Sequence, residues 1–249
     1  MIVTLFVFAC LSSRAFGAAA FVLPAACPAC QPATTTQYAY TMNDPLFFNG
    51  NGNKETFFAH SQGDGVKLNI RPHQNGQDAI TLGVTGAYGL PTSPTTPAWN
   101  YDYSIDLTLL NMSFATAATS GYTFVIGLDT DPLETATYYC YDPINASAHF
   151  GFFDHCFGFH NQPDNSCAAL PGTTATYDSA IATYPVLQQS WMYSFTGALS
   201  NPVIAGRYEM YIAALHNGVE IARAKASLYI GTISGTLPGP DATCLTGTE

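Results

Sequence analysis

The strongest pattern in the chain is a pair of alternating runs at residues 206–231, GRYEMYIAALHNGVEIARAKASLYIG. In the first run Tyr208, Met210, Ile212 and Ala214 share one face. In the second, Ala222, Ala224, Ala226, Leu228 and Ile230 share one face, and Val219, Ile221, Arg223 and Lys225 share the other. His216-Asn217-Gly218 separates the runs. Asn-Gly between alternating stretches is a strong hairpin signal, because both residues tolerate the positive φ that a tight, twist-matched turn demands. A long two-faced hairpin is therefore predicted.

The same period of two recurs upstream. Residues 99–110 (WNYDYSIDLTLL) place Trp99, Tyr101, Tyr103, Ile105, Leu107 and Leu109 on one side, opposite Asn100, Asp102, Ser104, Asp106 and Thr108. This predicts a core strand with a polar, solvated outer face. Val66, Leu68 and Ile70 alternate with Lys67, Asn69 and Arg71 in a half-buried strand that Pro72 should end. Shorter strands are predicted at 37–42, 56–60, 79–82, 122–128 and 186–195, with turn chemistry between them. Residues 89–97 (GLPTSPTTP) read as an extended loop. No helix of ordinary length is signalled. Closely spaced strands predict an all-β, antiparallel β-sandwich, jelly-roll-like or Ig-like.

Residues 137–185 interrupt the pattern. Aromatic residues cluster there, with His149, His155, His160, Cys140, Cys156 and Cys167. A structureless loop of this length is uncommon in a compact domain unless it is functional or cross-linked. Internal disulfides are expected, with Cys156–Cys167 a candidate pair.

Composition narrows the setting. Of 249 residues 47% are hydrophobic and only 10% charged, against about a quarter in ordinary globular domains. A formal charge of −10 with seven Lys plus Arg excludes nucleic acid, whose binding rests on cationic contacts to phosphate. It also opposes adhesion to anionic membranes. Residues 1–17 begin with the apolar run IVTLFVFACL and close on small residues at Ala15 and Gly17. They read as a cleaved secretory signal, with no membrane insertion after cleavage. A Cys/Pro-rich leader (18–36), one sandwich domain (37–233) and a tail (234–249) follow. Cleavage removes Cys10 and leaves Cys27, Cys30, Cys140, Cys156, Cys167 and Cys244. An even number in an exported chain reads as a disulfide set whose connectivity sequence leaves open.

Candidate chemistry is sparse. Asp129, Asp131 and Glu134 offer carboxylates to Ca2+, which takes six to eight oxygens, but in no loop of EF-hand type. The competing reading is a turn that closes a strand before Pro132. The histidines and cysteines of 137–185 contain the N and S atoms that Zn2+ prefers, although disulfides claim such cysteines first. Asp102 and Asp106 share a strand face, which suits two solvated carboxylates better than a glycosidase pair. No nucleophile-elbow, zincin or P-loop motif occurs. Trp191 and Tyr193, or the aromatics at 150–159, are candidate glycan-stacking residues. The opposing reading packs them in the core, where β propensity favours them. Asn111-Met112-Ser113 and Asn145-Ala146-Ser147 match the N-glycosylation pattern.

The order WNYDYSIDL (99–107), YTFVIGLDTDP (122–132), QQSWMYSF (188–195) and the closing hairpin resembles secreted bacterial β-sandwich proteins of unassigned function, many with a PEP-CTERM sorting tag. The sequence contains no Pro-Glu-Pro tag of this kind, and the six cysteines expected in the mature chain depart from the group. The resemblance implies an extracellular sandwich and brings no catalytic residues with it. The expectation is a secreted or cell-surface, non-catalytic structural protein without a cofactor. The alternative is a carbohydrate-binding module, Ca2+-assisted, whose partner is an extracellular glycan or matrix.

Overall fold

The computed structural model describes residues 36–38, 58–74, 77–78, 80–81, 87–90, 99–130, 138–144, 155–160, 167–193 and 205–231. The signal and nearly all of the leader, the tail, Cys27, Cys30, Cys244, Asp131, Glu134, His149 and the second glycosylation triplet lie outside these residues.

Thirteen strands are described among them: β1 (Thr36–Tyr38), β2 (Phe58–Gly63), β3 (Val66–Gln74), β4 (Gln77–Asp78), β5 (Ile80–Thr81), β6 (Ala87–Leu90), β7 (Trp99–Asp106), β8 (Tyr122–Asp129), β9 (Tyr138–Tyr141), β10 (Cys156–Gly158), β11 (Val186–Met192), β12 (Gly206–His216) and β13 (Val219–Ile230). They form two sheets. One runs β1-β2-β3-β7-β11-β10, with β4 also on β3, and the other runs β5-β6-β13-β12-β8-β9. Every pairing is antiparallel except β6 with β13.

The predicted hairpin is β12–β13. Asn217 and Gly218 sit at φ 53° and 79°, the doubly positive conformation that Asn-Gly was expected to supply. The alternation then decides what faces inward. Met210, Ile212, Ala222, Ala224 and Leu228 from one sheet meet Leu68, Ile70, Tyr103, Ile105 and Leu187 from the other in one core. Small alanines on β13 permit close approach. At the β2–β13 corner a Cβ on Gly63 would fall 1.8 Å from the Ile221 carbonyl oxygen, and the Arg223 amide donates to Ser61 Oγ at 3.2 Å. The architecture of the described residues is mostly β, with the two sheets sharing one core in a sandwich-like arrangement.

Several expectations are corrected. Pro72 does not end β3, which runs on to Gln74. The β2 ladder stops at Ile70 and the β4 ladder starts at His73, so Pro72 occupies a gap where its missing N–H is tolerated. β7 stops at Asp106, because Asp106 Oδ1 accepts from the Thr108 amide at 2.7 Å and bends the chain into a 3₁₀ turn at Thr108–Leu110. Leu109, assigned to the core face, is therefore exposed. Helices are present as well: α1 (Phe114–Thr119) and α2 (Thr174–Thr183). α2 starts at a capping box between Thr173 and Thr176. It escaped prediction because it buries only Tyr177 and Ala180, too few positions to print a helical stripe.

The largest correction concerns the outer faces. Asn69, Arg71, Asn100, Asp102, Ser104 and Asp106 were expected on polar outer faces, yet none is more than 7% exposed over the whole residue. Arg223 and Lys225 on β13 are likewise buried. Charges so placed must be neutralised locally.

Cys156 and Cys167 form a disulfide, as expected, with their Cα atoms 5.2 Å apart. Cys140 is also disulfide-bonded, and its partner lies outside the described residues.

Candidate functional site

β3, β7 and β11 bring Arg71, Asp102 and Ser190 into one cross-strand row. Arg71 Nε donates to Asp102 Oδ2 at 2.7 Å. His73 Nε2 lies 3.0 Å from Asp102 Oδ1 and 3.3 Å from Ser190 Oγ. Burial alone would raise the Asp102 pKa, but His73, Arg71 and Ser190 outweigh it and hold the carboxyl below its ordinary value. The set has the composition of a Ser-His-Asp triad and not its geometry. A relay needs the carboxylate on one imidazole nitrogen and the hydroxyl on the other, whereas here Nε2 faces both. Asp102 and His73 are also fully buried, so no substrate reaches them. The row is a sealed ion-pair network, with the Arg71 guanidinium stacked 4.7 Å from the Phe58 ring centre.

The second sheet has its own network, centred on Glu209. Its carboxylate meets Arg207 at 2.5 Å and Lys225 at 2.6 Å, and accepts from the Tyr138 hydroxyl at 2.6 Å. Burial opposes ionisation of Glu209, but Lys225, Tyr138 and Arg207 together keep its pKa low. Two residues along β13 from Lys225, Arg223 forks onto Glu220 and lies 4.0 Å over the Tyr211 ring. Loss of hydration pushes the Tyr211 hydroxyl up to about 12.

These networks reassign the predicted metal and glycan residues. Asp129 is 1% exposed, and its Oδ2 accepts the Glu209 amide at 3.2 Å. Its two proposed co-ligands lie outside the described residues, among which no group of three or more potential ligands converges. Trp191 and Tyr193 are each 1% exposed in the core. Trp191 stacks on Tyr141 at 6.2 Å, and the Tyr193 hydroxyl donates to the Asp129 carbonyl at 2.6 Å. Neither ring is available to a sugar. The Zn2+ candidates diverge too: His155 is a core residue, His160 pairs with Asp106, and the three cysteines are in disulfides.

One polar pair does reach solvent. His160 Nδ1 lies 2.7 Å from Asp106 Oδ2, with side chains 23% and 10% exposed. The turn after β10 carries His160 back onto the end of β7, and the Cys156–Cys167 bridge closes the loop containing it. Beside it Phe159 is 50% exposed and meets Tyr184 edge-to-face at 5.1 Å. A carboxylate, an imidazole and a half-exposed ring thus gather at one rim. This pair, 54 residues apart, left no spacing signal in the sequence.

Comparison with protein-family models, with curated proteins and with solved structures finds no match. The geometry alone must carry the functional reading. At the rim it offers hydrogen bonding beside an apolar ring. No nucleophile is aligned with His160 among the described residues.

Proposed function

We propose that this chain is a secreted, non-catalytic structural or cell-surface protein built on a disulfide-stapled β-sandwich of jelly-roll-like or Ig-like type, akin to the secreted bacterial sandwiches its motifs resemble. The observation that carries this reading is the pairing of charges among the described residues. On each sheet a largely buried set, Arg71, His73 and Asp102 on one and Glu209, Lys225, Arg223 and Glu220 on the other, neutralises its own charges, which suits a rigid scaffold rather than a reactive cleft. The Cys156–Cys167 bridge supports an oxidising compartment. No helix of the described residues is long and apolar enough to cross a membrane. The test combines fractionation with N-terminal sequencing of the exported protein. Export with cleavage after residue 17, and a cooperative melt insensitive to EDTA, is the expected result. Retention in the cytosol with the first residues intact would refute it.

The rim supports a second reading, an extracellular glycan-binding module. Half-exposed Phe159 supplies a face for a sugar ring, and Asp106 and His160 supply polar partners for its hydroxyls. On a glycan array, binding that Phe159→Ala abolishes would favour this reading. Binding to no glycan, or binding indifferent to that change, would remove it.

A further inference from the structure

Gln189 breaks an apolar face. Its neighbours two residues away on β11, Leu187 and Trp191, both lie in the core, and Gln189 itself is fully buried. On one side it pairs in register with Tyr103 of β7. On the other, β10 pairs Cys156 with Gln188, so continuing that register sets His155 opposite Gln189. Tyr103, Gln189 and His155 therefore form one row across three adjacent chain segments. The next row along is apolar, with Ile105, Leu187 and Phe157. All three members of the polar row are 0% exposed.

Each of them presents an atom with no hydrogen-bonding partner in the protein: the Tyr103 hydroxyl, both polar atoms of the Gln189 amide, and His155 Nδ1. The role of Nδ1 follows from the other ring nitrogen. His155 Nε2 lies 3.2 Å from the Pro143 carbonyl oxygen, which can only accept, so Nε2 holds the proton. In the neutral imidazole Nδ1 is then a bare acceptor. The row thus contains three donor hydrogens, one on Tyr103 and two on Gln189. Its unpaired acceptors are Gln189 Oε1, the Tyr103 oxygen and His155 Nδ1. Native proteins rarely leave so many neighbouring buried polar atoms dry.

We infer that this row is a sealed hydration site in which at least one long-lived internal water bridges Tyr103, Gln189 and His155. The chemistry of the set suits water closely. One water can donate to His155 Nδ1 and to Gln189 Oε1 while accepting from the Gln189 amide or the Tyr103 hydroxyl, which gives it the three or so bonds that buried waters make. The site ties the segment entering β10 to β11 and β7 beyond the point where the β10 backbone ladder ends.

The rival arrangement needs no water: the Gln189 amide would donate directly to His155 Nδ1 and accept directly from Tyr103. Two measurements on the full-length, disulfide-intact protein separate the two. A high-resolution crystal structure should show ordered density within hydrogen-bonding distance of at least two of the three side chains. Oxygen-17 relaxation dispersion in solution should count at least one more long-lived water in the wild type than in the variant combining Tyr103→Phe with Gln189→Leu. Direct Tyr103–Gln189–His155 contacts without intervening density would overturn the inference. So would equal water counts in the two proteins. The crystallographic arm needs only the wild type and decides the matter even if the double variant does not fold.

Discussion

His155 makes the stability of this protein sensitive to mild acid. Its ring is fully buried among Phe157, Tyr177 and Trp191, and burial pushes its pKa down to about 4 against the opposing hydrogen bond to Pro143. In the unfolded chain an ordinary histidine titrates near 6.5. A base with a depressed folded pKa binds protons preferentially in the unfolded state. Its neutral form therefore contributes stability that is complete above about 6.5 and is lost as pH falls toward 4. The separation of about 2.5 units, at about 1.4 kcal/mol each, amounts to roughly 3.5 kcal/mol in all, of which about 2 kcal/mol is gone by pH 5. Tyr177, edge-to-face on the ring, and Tyr103, in the same cross-strand row, have raised pKa values and stay neutral throughout this window. Urea unfolding at pH 7 and pH 5 measures the effect, provided that the disulfides stay oxidised. His155→Gln lacks the titrating group, so its stability should fall by about 2 kcal/mol less than that of the wild type between the two pH values. Because every other ionisable group is common to both proteins, the difference isolates this one ring. Equal pH dependence in wild type and variant would refute the argument, whatever the variant's stability at pH 7.

Two further outcomes test the packing. Asp102→Asn keeps the shape of the side chain but strips Arg71 and His73 of their buried carboxylate, and should cost about 3–5 kcal/mol by chemical denaturation; a loss below about 1 kcal/mol would show that the network contributes little. Gly127→Ala places a Cβ 2.1 Å from the Tyr211 ring. Tyr211 is held between Arg223 and Cys140, so the substitution should destabilise by about 1–3 kcal/mol or more, read as a lower denaturation midpoint with unchanged slope.

Much of the frame was legible because a strand with one face on a core writes its period directly into the chain. The hairpin at 206–231 and the start of the strand predicted at 99–110 follow from that rule, while the strand predicted at 122–128 showed as a short continuous apolar run. Alternation reports which side chains differ, however, and not where the second face goes. Asp102 and Arg71 look identical in sequence whether they meet water or each other, so their burial was missed. Trp191 and Tyr193 illustrate the converse, since an aromatic residue on a strand fits a core and a binding platform equally well. α2 was invisible because it buries only Tyr177 and Ala180.

By itself, then, the sequence determined the class of the molecule, the position of its longest hairpin and the candidate Cys156–Cys167 staple, because these depend on short-range periodicity and turn chemistry. Only the tertiary structure decided the rest: the His160–Asp106 rim, the two largely buried charge networks and the polar row Tyr103–Gln189–His155. Each joins residues from strands distant in sequence, and strand register, a property of the assembled sheet, is what sets them side by side.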